Sequence, residues 1–250
     1  MHRTIFAFCA LALLALSGCA TQQRAPIAKD PLEGFNRAMF AVHEGVDKAA
    51  LKPLARGYDT AVPLPMKMSV GNFFGNFRDV GQSGNALLQG KGNEGMTGLA
   101  RFFVNSTVGI FGLFDVASEM ELMEGDEDFG QTLAVWGVPS GPYLFIPLIG
   151  PSGGRDIVGW SVDQYIYPVW HHTDDHPALR NSLLGLNAMQ YRASLLPADH
   201  VLEEASLDKY AYLRAAYLQR RAAQIRDGAS APRDEEDLGE LEEPDDLEPR

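Results

Sequence analysis

The segment around Ser152 carries a pattern that is typical of a nucleophile. It reads Gly150-Pro151-Ser152-Gly153-Gly154, which fits the G-x-S-x-G motif, and an extended apolar stretch precedes it. A hydrolase order of serine, aspartate and histidine would draw its partners from Asp174, Asp175, His176 and His200. The sequence does not indicate the alternating strands of such a fold, so a Ser152 that caps the following helix is the alternative.

The same segment could instead bind an anion without any chemistry. Glycine-rich backbone presents N–H groups, and the guanidinium of Arg155 suits a phosphate. Ser152 and Arg155 are therefore candidate contacts for a lipid phosphate.

Two other patterns resemble ligand sites but lack the surroundings that such sites need. Residues 90–95 fit G-x-G-x-x-G but follow a helix-like stretch, whereas a dinucleotide loop follows a strand. We expect a helix–helix joint there. A zinc site needs four ligands in tetrahedral geometry, and Pro177 favours a loop beside the candidate ligands. Those candidates are His171, His172, Asp174, Asp175 and His176. The sequence predicts no cofactor, no metal site and no catalytic residue.

Cys19 is the residue whose modification the sequence indicates most directly. A short cationic start and a run of apolar residues precede Leu16-Ser17-Gly18-Cys19. This ending resembles a bacterial lipoprotein signal, in which the cysteine is lipidated and the preceding residues are removed. Residues 1–18 are then the signal peptide, and residues 19–29 are a lipidated leash of at most about 35 Å. Ala20, rather than aspartate, favours the outer membrane, with the protein anchored on the periplasmic side.

Charge is concentrated at the C-terminal end of the chain. The net charge is −12, and residues 227–250 hold eleven acids against two arginines, a net of −9. The rest of the chain therefore carries −12 minus −9, or −3. No basic cluster suggests nucleic acid, whose backbone requires clustered lysine and arginine. The acidic tail has few apolar residues, and we expect it to be disordered.

Residues 30–226 are expected to form one mostly α-helical domain. Asp30, Pro31 and Glu33 suggest a capping box, with Pro31 as the first helical residue. Pro53 and residues 63–65 are expected to break the chain. Further helices are expected at Lys67 to Phe77, Ser83 to Gln89, Asn93 to Val108, Asp126 to Val135, Leu179 to Leu195 and Ala198 to Ile225. Only Tyr143 to Ile149 has an extended pattern, and Pro147 argues against a central strand there.

Two stretches, 104–114 and 142–150, are apolar on nearly every side. They are either core segments or segments that contact lipid, since both are too short to span a bilayer. Tryptophan and tyrosine, which favour membrane interfaces, are frequent between residues 136 and 170.

Several ordered strings together resemble one family, the MlaA (VacJ) lipoproteins of the outer membrane. They are Asp30-Pro31-Leu32-Glu33-Gly34-Phe35-Asn36-Arg37, Asn72-Phe73-Phe74-Gly75-Asn76, Leu87-Leu88-Gln89-Gly90, Arg101-Phe102-Phe103-Val104-Asn105-Ser106-Thr107, Phe129-Gly130-Gln131-Thr132-Leu133, Trp136-Gly137-Val138, Gly141-Pro142-Tyr143 and Gly150-Pro151-Ser152. The resemblance implies a helical ring in the inner leaflet of the outer membrane. Its channel would pass mislocalised outer-leaflet phospholipids to a soluble periplasmic carrier of the Mla system.

The resemblance also implies a trimeric porin as a partner and a Gly/Pro-rich hairpin, residues 129–155, at the channel. The candidate channel or hairpin residues are Phe129, Trp136, Tyr143, Leu144, Phe145, Ile146, Leu148 and Ile149. The expected function is maintenance of lipid asymmetry by transport rather than by catalysis. Two alternatives are a phospholipase-like hydrolase that uses Ser152 and a porin tether that carries no lipid.

Overall fold

The structure is a computed structural model, and it describes residues 30–167, 175–205 and 208–227. The predicted signal peptide, leash and acidic tail lie outside the described residues, apart from Asp227. His171, His172 and Asp174 lie outside them as well. The domain boundaries at residues 18, 29 and 226 therefore stay predictions.

The described residues are mostly helical, which confirms the predicted fold class. The helices are α1 (Glu33–Val46), α2 (Lys52–Ala61), α3 (Leu64–Leu88), α4 (Gly92–Thr107), α5 (Val116–Glu119), α6 (Phe129–Val135), α7 (Gly154–Ile166), α8 (Pro177–Ser194), α9 (Leu196–Ala205) and α10 (Lys209–Ile225). A π-helical turn, Asp47–Leu51, joins α1 to α2. The strands β1 (Tyr143–Ile146) and β2 (Gly150–Gly153) form an antiparallel hairpin.

Three predicted boundaries were wrong. Helix α3 is continuous over 25 residues, although a break was expected after Phe77. Its polar residues around that point are buried against other helices, and this packing outweighs the low helix propensity of Gly81 and Gly84. Pro53 does not break the chain, because it lies in the first turn of α2, where a missing N–H costs least. The expected last helix is two helices, α9 and α10.

The predicted capping box, with Pro31 as the first helical residue, was also wrong. Helix α1 begins at Glu33, and the Asp30 carboxylate accepts a hydrogen bond from the Leu32 N–H at 3.0 Å. Asp30 also accepts from the Asn36 side-chain amide at 3.0 Å and from the Tyr210 hydroxyl. The Asp30 carboxylate therefore ties the start of α1 to α10.

The elements contact one another in a closed circuit. Helix α1 packs on β1, the hairpin packs on α7, α7 on α6, and α6 on α3. Helix α3 packs on α8 and α8 on α2, which returns through the π-helical turn to α1. Helices α3 and α4 form an antiparallel pair joined at Gly90, the helix–helix joint expected from the sequence.

Polar side chains fill much of the interior, while many large apolar side chains lie at the surface. Within the described ranges, fourteen polar or charged residues are buried against eight apolar ones. Exposed apolar side chains include Met123 at 79% and Phe111 at 76%. A soluble protein buries most of its apolar residues in its core, so this distribution is inverted. No helix in the described part of the chain is long and apolar enough to cross a membrane.

Close backbone contact between α6 and α7 depends on Gly159. A Cβ added at Gly159 would lie 2.6 Å from the Gly130 Cα, which a real side chain does not tolerate. We expect Gly159→Ala to lower the free energy of unfolding by about 1–3 kcal/mol through overpacking. Gly185→Ala in α8 is the matched control, because a Cβ there meets nothing within 4 Å. It should stabilise the helix by about 0.5–1 kcal/mol. Thermal unfolding in detergent measures the stability of both variants. Equal changes in the unfolding temperature of Gly159→Ala and Gly185→Ala would contradict the close contact between α6 and α7.

Candidate functional site

Two adjoining polar cavities lie inside the circuit of helices. The smaller, of about 280 Å³, lies between α3, α4 and α8. The larger, of about 630 Å³, lies between α3, α7, α8, α10 and residues 124–128. Arg78, Glu124 and Asn187 line both cavities, so the two adjoin at these side chains. We call the two cavities together the passage.

A network around Arg101 forms one wall of the smaller cavity. The Arg101 guanidinium is buried and donates to Asp79 at 3.3 Å, to Asp115 at 3.2 Å and to the Leu122 carbonyl at 2.5 Å. Asn105 donates to Asp115 at 3.0 Å and accepts from the Ala117 N–H at 2.9 Å. These bonds fold the chain after α4 back onto α3 and α4. Buried charges need such partners, and that explains the Arg101 and Asn105 pattern in the sequence.

A second network joins the elements next to the larger cavity. The buried Asp156 carboxylate in α7 accepts from Arg221 at 2.9 Å, from Arg155 at 3.1 Å and from the Tyr217 hydroxyl. Burial alone would raise the pKa of Asp156, but the hydrogen bonds from Arg221 and Tyr217 outweigh it and lower the pKa. Arg221 also binds Asp128, the N-cap of α6, with two bonds of 2.5 and 2.7 Å. The Asp156 network thus fixes α6, α7 and α10 relative to one another.

The Asn36 side chain holds the hairpin on α1. Asn36 is fully buried; its amide nitrogen donates to the Tyr143 carbonyl at 3.0 Å and its oxygen accepts from the Phe145 N–H at 2.9 Å. The side chain therefore satisfies the free edge of β1 as a neighbouring strand would. This contact gives a structural reason for an asparagine in the string at residues 30–37.

The candidate channel residues divide between the two faces of the hairpin. Tyr143 and Phe145 are buried and pack with Tyr210 of α10, while Phe40 stacks edge-on against Phe145 at 5.3 Å. Leu144 and Ile146 alternate with them on the opposite face and are partly exposed. Leu148 and Ile149 form the exposed tip. Trp136 is 54% exposed and packs edge-on against Phe129. None of these eight residues lines either cavity, and their role at a channel stays a prediction.

His43 attaches the tip of the hairpin to α1. Its Nδ1 accepts a hydrogen bond from the Leu148 N–H at 3.1 Å, so this nitrogen must carry no proton. Burial lowers the pKa of His43, with opposing contributions from Asp47 and Glu44 and a like-charge contribution from Arg192.

The contact of His43 with the hairpin tip should depend on pH. Because the folded-state pKa is depressed, the contact stabilises the fold above about pH 6.5. That stabilisation is lost as the pH falls through the folded-state pKa. Hydrogen exchange of the Leu148 amide should therefore accelerate between pH 7.5 and pH 5 after correction for intrinsic exchange. His43→Gln, whose amide oxygen accepts without titrating, is the control and should remove the pH dependence. Equal exchange profiles in both proteins would contradict the contact.

Ser152 and Arg155 lie in the hairpin and at the start of α7. Ser152 pairs with Leu144 in regular β-structure, and its hydroxyl lies 3.4 Å from the Gly153 carbonyl and near the Tyr217 hydroxyl. It does not cap α7, whose N-cap is Gly153 without a side-chain bond, so that alternative was wrong. Arg155 is buried and donates to Asp156 and to the Val138 carbonyl at 3.2 Å. The phosphate contact proposed for this pair stays a prediction, and its known partners are structural.

The described residues do not assemble a hydrolase or zinc site at the candidate positions. No hydrogen bond joins Ser152 to a histidine within residues 30–167, 175–205 and 208–227. The same ranges hold no group of three residues placed to bind a metal. Asp174 and the side chain of His200 lie outside what the structure describes, and the hydrolase alternative is therefore left to experiment.

An apolar loop at residues 108–114 projects from the end of α4. Ile110 and Phe111 adopt left-handed backbone, with φ of 53° and 56°, and Gly112 follows with φ of 82°. Left-handed backbone costs roughly 1–2 kcal/mol for a residue with a Cβ. Gly112 packs against the Asn76 side chain, where a Cβ would lie 2.7 Å from the Asn76 Cβ. The packing holds the loop in a conformation that leaves Ile110, Phe111 and Phe114 exposed.

Comparison with known proteins shows which family this chain belongs to. The family model described as MlaA lipoprotein matches residues 28–224. The chain belongs to the MlaA lipoprotein family. A protein of Escherichia coli strain K12 named intermembrane phospholipid transport system lipoprotein MlaA is 35% identical over 219 residues, which cover 84% of each chain. The Haemophilus influenzae protein of the same name is 31% identical over 225 residues, 87% of this chain and 89% of that one.

A solved structure of an MlaA relative has the same fold. It comes from work on the structural basis for maintenance of bacterial outer membrane lipid asymmetry. The TM-score is 0.69 at 34% identity, and the match covers 79% of this chain and all of that chain. The MlaA assignment made from the ordered strings is therefore confirmed.

Sequence reasoning missed the residues that line the passage in this MlaA chain. Arg78, Glu124, Asp126 and Arg220 have ordinary surface types and no motif around them. One signal was present: Asn76, Asp79 and Ser83 place polar residues on the face of α3 that a soluble helix would use for apolar packing. That inversion could have indicated a polar interior.

Proposed function

We propose that this protein is a lipoprotein, anchored through Cys19 on the periplasmic side of the outer membrane, that maintains lipid asymmetry. It would receive phospholipids mislocalised to the outer leaflet and let them pass through the passage towards a periplasmic carrier. The inverted distribution of polar and apolar side chains carries this proposal. A trimeric porin would hold the protein at its place in the membrane.

Elementary energetics favour a passage of this kind. A phospholipid has roughly thirty methylenes, so complete exposure of its chains to water would cost about 25 kcal/mol at 0.8 kcal/mol each. Moving its charged headgroup through hydrocarbon is also costly. A polar interior can hold the headgroup while apolar surfaces outside contact the chains, and both costs fall without any covalent step.

The exposed apolar residues suggest how the body meets the membrane. The loop at 108–114 and the hairpin tip at Leu148 and Ile149 both present apolar side chains to the outside. Single exposed apolar residues are common in soluble proteins, but contiguous groups mark binding surfaces. In this proposal both groups lie in lipid, whereas the passage between α3, α7, α8 and α10 stays polar.

Photo-crosslinking tests the proposed path. A phospholipid with a photoreactive headgroup, incubated with the full lipidated protein, should label peptides from α3, α7, α8 and α10. Label confined to the outer apolar surface would contradict a path through the passage. The same preparation tests the hydrolase alternative: we expect no release of fatty acid and an unchanged result for Ser152→Ala. Release that Ser152→Ala abolishes would favour a phospholipase.

A further inference from the structure

The arginines of the described chain around the passage fall into two groups. Arg101, Arg155 and Arg221 are buried and bound to carboxylates. Arg78 and Arg220 line the larger cavity and are exposed. The Arg78 guanidinium lies 3.5 Å from one Glu124 oxygen, at the long end of the ion-pair range, and Arg220 forms no ion pair with another described residue. These two guanidinium groups are thus available to a ligand, and a guanidinium suits a phosphodiester by its charge and fixed donors.

The carboxylates of the larger cavity divide in the same way. Glu127 binds Lys91 at 2.7 Å, Asp128 binds Arg221, and Asp163 accepts from Asn85 and from the Phe129 N–H at 3.0 Å each. Glu124 and Asp126 are exposed to the cavity. The Asp126 carboxylate accepts only from the neutral Gln224 amide, at 3.0 Å, among the described partners. Both carboxylates can therefore receive a cationic donor.

The exposed charges of the larger cavity balance one another, two guanidinium groups against two carboxylates. Gln224 lies four residues after Arg220 on α10, so the Gln224 and Arg220 side chains share one face of the helix. Gln224 donates to Asp126, which places the Asp126 carboxylate on the same side as Arg220. Glu124 lies beside Arg78. Charges of both signs thus line one space of about 630 Å³, within the usual size range of ligand pockets.

We infer that the passage prefers a phospholipid with a zwitterionic headgroup. Its phosphodiester binds Arg78 and Arg220, and its ammonium binds Glu124 and Asp126. This inference rests on the proposed function and names the class of lipid that the same passage accepts. A headgroup that carries only hydroxyls beside its phosphate, as in phosphatidylglycerol, places no cation against the two carboxylates. Such a lipid leaves the two carboxylates next to its own phosphate without a cation between them.

Competitive lipid binding tests the preference. The full lipidated protein in detergent is incubated with equal amounts of phosphatidylethanolamine and phosphatidylglycerol of identical acyl chains, and bound lipid is counted by mass spectrometry. We expect phosphatidylethanolamine to exceed phosphatidylglycerol by about threefold to tenfold, the ratio that one or two exposed ion pairs supply. The double variant Glu124→Gln with Asp126→Asn should bring that ratio towards one while total binding persists. The double variant Arg78→Gln with Arg220→Gln should lower the binding of both lipids.

Two control variants show whether any exposed charge, rather than a charge in the cavity, affects lipid binding. Glu94→Gln and Arg56→Gln change exposed charges of the same types that line neither cavity, and they should leave ratio and total unchanged. Circular dichroism confirms that each variant is folded. Equal binding of the two lipids by the wild-type protein overturns the headgroup preference and leaves the passage standing. A ratio that survives the carboxylate double variant also overturns it. If the wild-type protein binds neither lipid above a denatured control, the proposed function itself fails.

Discussion

Asp156→Ala is expected to lower the free energy of unfolding by about 3–5 kcal/mol, the largest stability effect of any substitution considered. The variant removes one carboxylate that accepts from Arg155, Arg221 and Tyr217. Arg155 and Arg221 are buried, so each would keep a charge without its full set of partners. Helices α6, α7 and α10 would lose the carboxylate that connects them.

Denaturant unfolding in detergent measures the effect of Asp156→Ala. Asp59→Ala is the control, because its exposed carboxylate pairs with Lys67 at 2.5 Å near the surface and should cost no more than about 1 kcal/mol. The sign of the pH dependence follows from the lowered pKa of Asp156. The wild-type protein should lose the contribution of Asp156 below about pH 4, as the carboxylate takes up a proton, and the variant should lack that loss. Equal unfolding midpoints for the two variants would show that the Asp156 network is not a structural junction.

Asn187→Trp is expected to abolish lipid passage while the fold persists. Asn187 lies on α8 where the two cavities adjoin, together with Arg78 and Glu124. An indole ring is far larger than the asparagine side chain and would fill the junction of the passage. Asn187 is only partly buried, so the substitution should cost less than about 1 kcal/mol of stability.

Asn181→Trp is the matched control for Asn187→Trp. It introduces the same side chain on the same helix at an exposed position that lines neither cavity. Cells that carry Asn181→Trp should keep the wild-type outer-leaflet phospholipid level. Cells that carry Asn187→Trp should match a deletion strain. Wild-type behaviour of folded and correctly located Asn187→Trp protein would exclude a route through this junction.

The sequence predicted most helices, because apolar residues at helical spacing indicate a helix whether that face packs inward or lies at the surface. The extended pattern expected at Tyr143 to Ile149 is a strand only over Tyr143–Ile146, where the buried Tyr143 and Phe145 alternate with Leu144 and Ile146. The sequence-based prediction failed between Phe77 and Ser83 in α3, where a break was expected and the helix is continuous. Tertiary packing of buried polar residues holds that helix continuous, and no pattern within the helix itself reports such packing.

The candidate site could be predicted only in part. The ordered strings identified the family, and a hairpin within residues 129–155 was expected from that resemblance. The residues that line the passage were not predicted, since Arg78 and Arg220 lie on different helices and 142 positions apart in the chain. Only the fold shows that Arg101 binds the buried Asp79 and Arg221 binds the buried Asp156, whereas Arg78 and Arg220 line the cavity. Residue type alone does not distinguish the two groups.

The phospholipid content of the outer leaflet shows whether this protein removes phospholipid from it. It is measured by enzymatic labelling at the cell surface in a deletion strain complemented with wild-type protein, Asn187→Trp, Ser152→Ala or Cys19→Ala, with expression of each confirmed. We expect deletion to raise outer-leaflet phospholipid, and we expect the wild-type protein and Ser152→Ala to restore the low level. Asn187→Trp and Cys19→Ala should fail to restore it. An outer leaflet that stays free of phospholipid in the deletion strain would contradict transport by this protein.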